Sequence, residues 1–252
     1  MTVRIAMWSG PRNISTAMMR SWEARGDCGV TDEPLYAHYL LETKLNHPGA
    51  EEVMKSQSTD WHVVCDELCG PGPKGKDIWY QKHMAHHLLS HIERDWMQEV
   101  RHCFLIRDPA AVVASYAKRR DEVSLRDLGY LELIEIFNYV TDDLDQAPIV
   151  IDSQDLLMEP EKVLRRLCLE LEVDYTDKML RWEPGLRESD GVWAKHWYGS
   201  VEHSTGFSPY EAREVSYPDR LETIVNQARE YYDFLWEQRL SPDTDVDVSY
   251  WT

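Results

Sequence analysis

Residues 3–22 read VRIAMWSGPRNISTAMMRSW. The apolar run Val3–Trp8 predicts a buried strand, and a helical pattern follows the Gly-Pro turn. The first backbone N–H groups of a helix have no partner inside the helix, and its dipole favours an anion at that end. With the positive charge of Arg12, this segment predicts an anion site at the turn. The alternative is that Ser15 or Thr16 only caps a packing helix.

The rest of the chain alternates apolar runs of strand length with longer segments of helical periodicity. Further strands are predicted at Gly29–Thr31, His62–Cys65, Ile78–Gln81, Cys103–Ile106 and Ile149–Ile151, and helices at Thr16–Arg25, Ala85–Glu99, Ala110–Arg120, Tyr130–Leu144, Glu161–Leu171 and Arg220–Arg239. This alternation is typical of a three-layer α/β fold with a mostly parallel central sheet flanked by helices. We expect one domain over residues 1–252, ending in an acidic tail at 241–252.

Composition limits the partners of the chain. Its 252 residues carry 27 Lys plus Arg against 45 Asp plus Glu, a formal net charge of −18. Such a charge argues against binding long nucleic acids or anionic lipid, and no segment approaches the ~20 apolar residues of a membrane span. We therefore expect a soluble cytoplasmic protein with neither partner. The five cysteines are odd in number and lie mostly in apolar contexts, so free thiols are expected.

The turn in residues 3–22 is not a Walker A loop, because GxxxxGK[ST] would need Gly and Lys at the positions of Ser15 and Thr16. It resembles instead the 5′-phosphosulfate loop of the sulfotransferase family, commonly written PRSGTT or PKSGTT. The matching residues are Pro11, Arg12, Ser15 and Thr16, while Asn13 and Ile14 replace the usual Ser-Gly. The opening also resembles bacterial sulfotransferase-like proteins whose motif reads like WSGPRNISTAMM.

A second segment, CFLIRDPAAVVASYAKR at residues 103–119, matches the same family independently. The family places an Arg at a strand end, then Asp/Asn-Pro, and a Ser eight residues beyond the Arg. Arg107, Asp108, Pro109 and Ser115 obey that spacing. A third stretch, residues 148–173, resembles the family's late strand and helix. The alternative for Arg107 alone is a structural ion pair at a strand end.

The resemblance implies a P-loop nucleotide-hydrolase-like fold and a metal-free reaction. The implied donor is 3′-phosphoadenosine 5′-phosphosulfate and the product is 3′,5′-adenosine bisphosphate. The sulfuryl group would move by in-line displacement to a hydroxyl or amine of a small-molecule acceptor. Donor-binding residues by this resemblance are Pro11, Arg12, Asn13, Ile14, Ser15, Thr16, Arg107 and Ser115, with Lys195 from a late loop that also offers Trp197 and Ser204. Trp8 and Trp193 are expected in the core.

The segment that offers candidate catalytic groups is IWYQKHMAHHLL, residues 78–89. This segment resembles the family strand that ends in Lys followed closely by a catalytic His. Lys82, together with Arg12, would neutralise the transferring group, and the base would be one of His83, His86 and His87, with His83 ranked first because it adjoins the strand end. Glu33, just beyond the second predicted strand, is the alternative base or the group that recognises a cationic acceptor. No ligand set accompanies the histidines, so no metal is expected.

Two other classes of function stay open at this point. One is an ATP- or GTP-dependent P-loop enzyme, against which the missing Walker lysine counts. The other is a regulatory protein that binds the nucleotide without catalysis, since Ile14 departs from the family loop. The acceptor could be a phenol, an alcohol, a sugar or an amine, because a fold does not choose its substrate. The sequence makes no prediction of the oligomeric state.

Overall fold

Five parallel strands form the central sheet in the computed structural model, which describes residues 2–118, 122–212 and 215–241. The strands are β1 (Val3–Ser9), β2 (Cys28–Asp32), β3 (Ile78–Met84), β4 (Arg101–Ile106) and β5 (Ile149–Asp152). Their order across the sheet is β2-β3-β1-β4-β5, and every neighbouring pair is parallel. All five carboxyl ends therefore lie at one edge, where ligands bind in open α/β sheets.

Helices cover both faces of the sheet. They are α1 (Ser15–Glu23), α2 (Tyr36–Thr43), α3 (Ala50–Ser56), α4 (Trp61–Cys69), α5 (Pro109–Ala117), α6 (Tyr130–Asn138), α7 (Ser153–Met158), α8 (Pro160–Glu170), α9 (Ala194–Trp197), α10 (Gly199–Glu202) and α11 (Glu222–Glu237). Along β1, Ile5 and Met7 enter the core layer shared with α1 and α2, whereas Ala6 and Trp8 enter the opposite layer with α4, α5, α6 and α11. Both faces of the strand are thus buried, which confirms the predicted three-layer α/β fold.

Two predicted elements are wrong. The predicted strand His62–Cys65 lies inside α4, whose first turn is capped by Asp60 accepting from the His62 N–H at 2.9 Å. A short apolar run does not by itself distinguish a strand from a buried helix. The predicted helix Ala85–Glu99 is two short 3₁₀ turns, Ala85–His87 and Asp95–Glu99. Its buried residues Leu88, Ile92 and Trp96 are four apart, which imitates a helix.

Parts of two predicted elements fall outside the described residues. These are the end of the helix predicted at Ala110–Arg120, of which residues 119 and 120 are not described, and the acidic tail, of which residues 242–252 are not described. The assignment of residues 1–252 to one domain stays a prediction.

A pair of histidines is buried where β1, β3 and β4 meet the helices. Trp8 Nε1 donates to His102 Nδ1 at 3.0 Å, and His102 Nε2 donates to the Met97 carbonyl at 2.9 Å. The His83 ring stacks on Trp8 with a centroid distance of 4.4 Å. Burial lowers the pKa of His83 to about 3 and that of His102 to about 4. Both rings are therefore neutral in the folded protein.

We expect the free energy of unfolding to fall as the pH drops below about 6.5, the pKa of an unfolded histidine. Below that pH, His83 and His102 bind protons in the unfolded chain but stay unprotonated in the folded protein. Each histidine therefore lowers the free energy of unfolding by about 1.4 kcal/mol per pH unit, until the pH approaches the pKa of that histidine in the folded protein. Urea unfolding at a series of pH values measures this slope. The slope should be shallower in His83→Phe, and a flat profile between neutral pH and pH ~5 would contradict it.

Candidate active site

A cavity of about 520 Å³ opens at the carboxyl edge of the sheet. It is lined by Pro11, Arg12, Asn13, Ile14, Ser15, Thr16, Glu33, Tyr36, Leu45, Asn46, His47, Pro48, Lys82, Met84, His86, His87, Arg107, Ser115, Tyr116, Trp197, Tyr198, Ser200 and Val201. The structure thus brings the residues of the two sequence motifs, Glu33 and Lys82 to one site. It leaves out His83 and Lys195.

The loop between β1 and α1 presents an open helix end to this cavity. The residue at the N-cap position is Ile14, not Ser15 or Thr16, and within the described part of the chain no side chain caps α1. Ile14 has φ 56° and Arg12 has φ 66°. A β-branched residue in the left-handed region costs of order 1–3 kcal/mol, a strain found mostly at functional sites. The loop therefore keeps the conformation that Gly would favour and leaves N–H groups for an anion.

Gly10 is the residue that lets this loop approach its neighbour. A Cβ added at Gly10 would lie 2.2 Å from the Leu128 carbonyl oxygen, which is backbone and cannot rotate away. We expect Gly10→Ala to displace the loop and lower both the melting temperature and the affinity for an anionic ligand. Thermal unfolding and ligand titration measure the two effects. Gly26→Ala, which meets no atom within 4 Å, is the comparison for the added methyl, although its own φ of 88° adds strain.

The two sequence motifs contact each other through their side chains. Arg12 Nε donates to Ser115 Oγ at 2.9 Å, and Arg107 Nη1 donates to the Arg12 carbonyl at 2.7 Å. Tyr130 donates through its hydroxyl to the Arg107 carbonyl. Burial lowers the pKa of Arg107, but a guanidinium stays protonated in proteins. Two cationic side chains consequently lie beside the open end of α1.

Lys82, on β3, also lines the cavity and is 1% exposed. Its Nζ donates to Asp32 Oδ1 at 2.9 Å, to Glu33 Oε1 and to the Tyr198 hydroxyl at 3.1 Å. Burial disfavours the ammonium, but Asp32 and then Glu33 outweigh it and hold the pKa of Lys82 well above its usual value. An ammonium has three hydrogens, and all three are used inside the chain. This arrangement does not support the expected contact of Lys82 with a sulfuryl group.

Glu33 is held over Lys82 by its backbone. Its φ is 44°, the Glu33 N–H donates to the Lys82 carbonyl at 2.9 Å, and Gln57 Nε2 donates to the Glu33 carbonyl at 3.1 Å. The residue is 9% exposed and lines the cavity. Burial raises the pKa of this carboxyl, Lys82 lowers it and Asp32 raises it, with a net rise. A carboxyl group with a raised pKa is a stronger base when ionised.

His83, the histidine ranked first as base, lies outside the cavity. His83 is 1% exposed and lies between Trp8 and Trp96, outside the cavity lining. Successive side chains of a strand point to opposite faces, so when Lys82 of β3 points to the cavity, His83 must point into the core.

His86 and His87 take that position instead, because they follow the end of β3 and line the cavity. The His87 ring stacks on Tyr36 with a centroid distance of 4.6 Å, and its Nδ1 lies 4.0 Å from Glu33 Oε2. That buried Nδ1 has no hydrogen-bond partner among the described residues. Burial, then His86 and Lys82, lower the pKa of His87 well below its usual value. His87 is a neutral imidazole beside the carboxylate.

Of the three residues predicted from the late loop, Lys195, Trp197 and Ser204, only Trp197 lines the cavity. Lys195 is exposed and pairs with Glu52 on α3, away from the cavity, and Ser204 accepts from Trp182 Nε1 at 3.0 Å in a packing contact. Trp197 lines the cavity, as does Tyr198, which the sequence analysis missed. No local sequence pattern marks Tyr198 as a site residue, because its hydrogen-bond partner Asp32 lies 166 residues away in the chain. Trp8 and Trp193 lie in the core, as expected.

Three other observations concern metal-binding groups, membrane-spanning helices and cysteines. The described residues contain no group of three or more His, Cys, Asp or Glu side chains that could hold a metal ion. No helix in the described ranges is both long and apolar enough to cross a bilayer. All five cysteines are free thiols, as expected. A cytoplasmic location and the absence of nucleic-acid partners stay predictions from the sequence.

A parallel sheet with an open helix end after β1 and two arginines beside it defines a P-loop-like α/β fold. The family model for the sulfotransferase domain matches residues 3–234, so the chain belongs to the sulfotransferase domain family. The sulfotransferase domain from the Synechococcus PCC 7002 olefin synthase has a similar fold, with a TM-score of 0.56 and 17% identity over 92% of this chain and 95% of that one. The resemblance read from the sequence motifs is thereby confirmed.

Two curated relatives come from Arabidopsis thaliana. The chain is 34% identical over 232 residues to branched-chain-amino-acid aminotransferase-like protein 2 and 35% identical over 232 residues to branched-chain-amino-acid aminotransferase-like protein 1. Each match covers 92% of this chain and 41% of the relative. The chain therefore spans about two fifths of the length of the curated relatives it matches.

Proposed function

We propose that this chain transfers a sulfuryl group from 3′-phosphoadenosine 5′-phosphosulfate to a hydroxyl or amine of a small-molecule acceptor. The observation that carries the proposal is the joining of the two motifs: Arg12 contacts Ser115, and Arg107 holds the backbone of Arg12, beside an open helix end. A carboxylate with a raised pKa, Glu33, lies on the same cavity. Donor-binding groups and a base thus share one site.

The chain's own residues fit an anionic donor with phosphates at two positions. The open N-terminus of α1 would take the phosphosulfate through backbone N–H groups, as helix ends do for phosphates. Arg107 and Ser115 would take the 3′-phosphate, as the family resemblance implies, since a guanidinium grips phosphate with two parallel hydrogen bonds. Asn13 Nδ2 donates to the Leu105 carbonyl at 3.0 Å and so ties the loop to β4.

The bound donor supplies the sulfuryl group and accounts for the leaving 3′,5′-adenosine bisphosphate. In the transfer, the acceptor oxygen or nitrogen forms a bond to sulfur as the bond from sulfur to the bridging phosphate oxygen breaks. Glu33 accepts the proton that the acceptor loses, and Lys82 orients the Glu33 carboxylate. Arg12 stabilises the charge that develops on the bridging oxygen. Neutral His87 lies next to Glu33 and is the alternative proton acceptor.

Transfer of label tests this proposal directly. The chain is incubated with donor labelled at sulfur and with a panel of phenols, alcohols, sugars and amines, and labelled products are separated by chromatography. A parallel reaction contains Mg²⁺ and ATP labelled at the γ-phosphate. We expect labelled sulfate esters or sulfamates and no phosphorylated product. Phosphoryl transfer from ATP, or tight binding of the bisphosphate without any labelled product, would contradict the proposal and favour a P-loop kinase or a regulatory protein.

A further inference from the structure

One late segment forms part of the cavity wall and contacts the charged side chains of Asp32 and Lys82. Residues 190–201, here called the strap, include Trp197, Tyr198, Ser200 and Val201 of the cavity wall. The strap is held at its start by Asp190, whose Oδ2 accepts from Arg20 Nη2 at 2.6 Å, with both side chains no more than 3% exposed. Its next contact is the Gly191 N–H, which donates to Asp32 Oδ2 at 3.2 Å.

The Tyr198 hydroxyl is the point where the strap meets the base. It donates to Asp32 Oδ2 at 2.6 Å and accepts from Lys82 Nζ at 3.1 Å and from Trp193 Nε1 at 3.2 Å. Tyr198 therefore donates to one oxygen of Asp32 and accepts one of the three hydrogens of the Lys82 ammonium. Asp32 Oδ1 and Glu33 Oε1 are left for the other two Lys82 hydrogens. Without the Tyr198 hydroxyl, Asp32 Oδ2 would keep only the Gly191 N–H and would compete with Glu33 for Lys82.

We propose that Tyr198 is a positioning residue for the base: its hydroxyl keeps Lys82 on Glu33 and so makes the base geometry depend on the strap being docked over the cavity. The inference rests on the proposed function, in which Glu33 is the base. It explains why Lys82 is buried with every hydrogen used. Enclosure of the acceptor by the strap and alignment of Glu33 would then occur together, which is how closing segments assemble a catalytic site.

The groups that face Glu33 determine how its protonation should respond to substitutions. They are Lys82 on β3, Asp32 on β2, His87 after β3, and Tyr198 on the strap. Removing the Tyr198 hydroxyl draws Lys82 towards Asp32, so the pKa of Glu33 should rise. Replacing Asp32 by Asn removes a nearby negative charge and leaves Lys82 to Glu33, so the pKa of Glu33 should fall. The two substitutions act in opposite directions.

The test compares Tyr198→Phe, Asp32→Asn and wild type, using methanol and water as the smallest acceptors so that acceptor recognition does not enter. Release of the bisphosphate from the sulfuryl donor is measured against pH, and bisphosphate affinity is measured by calorimetry. We expect Tyr198→Phe to reduce the maximal rate about 10- to 100-fold, with the affinity within about twofold of wild type. The rising limb of its pH profile should move to higher pH, and that of Asp32→Asn to lower pH.

Tyr231→Phe is the matched control, because it removes the same hydroxyl from α11 outside the cavity lining and should change neither quantity. The inference is overturned if neither limb moves, if both move in the same direction, or if the rate falls only together with bisphosphate affinity. Should Tyr198→Phe not fold, the shift of Asp32→Asn decides alone. A wild-type chain that does not bind the bisphosphate refutes the proposed function itself. One that binds it but releases none from the donor refutes the transfer activity on which the inference rests, whereas release by wild type with neither limb moved in the variants refutes the inference alone.

Discussion

Replacing Glu33 by Gln should lower the rate of sulfuryl transfer by about 100- to 10,000-fold, the range that a general base contributes. The amide has nearly the shape of the carboxyl and can still accept from Lys82, but it cannot take the acceptor's proton. Glu33 follows β2 and Arg107 follows β4, and β3 and β1 lie between these two strands in the sheet. The affinity for the bisphosphate product should therefore stay within about threefold of wild type. Single-turnover transfer and calorimetric titration measure the two quantities.

Two comparisons make the Glu33 result specific. Glu67→Gln makes the same chemical change on the exposed face of α4 and should leave the rate unaltered. His87→Asn removes the neighbouring imidazole, and its effect should be smaller than that of Glu33→Gln, because the lowered pKa of His87 makes it the weaker base. If instead His87→Asn abolishes transfer while Glu33→Gln reduces it only a fewfold, the base is His87.

Replacing Arg107 by Ala should weaken binding of 3′,5′-adenosine bisphosphate by about 100- to 1,000-fold. Hydrogen bonds to charged groups contribute about 1.5–3 kcal/mol each, and this guanidinium would make one or two of them to the 3′-phosphate. The substitution also removes the hydrogen bond at 2.7 Å to the Arg12 carbonyl, so the loop between β1 and α1 loses a support. Titration calorimetry of the variant and of wild type measures the change.

Arg165→Ala serves as the control for Arg107→Ala, because Arg165 pairs with Glu161 on the exposed surface of α8. It removes one positive charge from an acidic chain without touching the cavity, and the affinity should fall only a little. Equal losses of bisphosphate affinity in the two variants would mean that the net charge of the chain, and not a contact of Arg107, controls binding. An unchanged affinity in Arg107→Ala would remove the second motif from the donor site.

The sequence was sufficient to predict that the residues of its two motifs meet at one cavity. The strand beginning at Val3, the turn at Gly10 and the Arg107 and Ser115 pair are local patterns, each with its partners within a few residues or at a strand end. Parallel strands then bring their carboxyl ends together without further information. For this reason Arg12 and Ser115, 103 residues apart, could be expected in one site before their hydrogen bond was seen.

The part of the cavity around Glu33 and Lys82 could be predicted only in part. Glu33 and Lys82 were found from their strand ends, but the choice among three histidines depended on the register of β3 relative to the cavity, which spacing alone left open. Once Lys82 faces the cavity, alternation along the strand sends His83 to Trp8. Lys195 was predicted from its residue type, whereas its place was decided by a surface contact with Glu52. The position of Tyr198 depends wholly on tertiary contacts, which the sequence alone does not reveal.

The most direct test of the donor site is a calorimetric titration of the wild-type chain with 3′,5′-adenosine bisphosphate, beside one with ATP and Mg²⁺. The open helix end, Arg12 and Arg107 predict one bisphosphate per chain, bound at least about 100-fold more tightly than ATP, because ATP lacks the 3′-phosphate that Arg107 and Ser115 would hold. If ATP binds equally well or better, or if neither nucleotide binds, the site is not that of a sulfuryl donor.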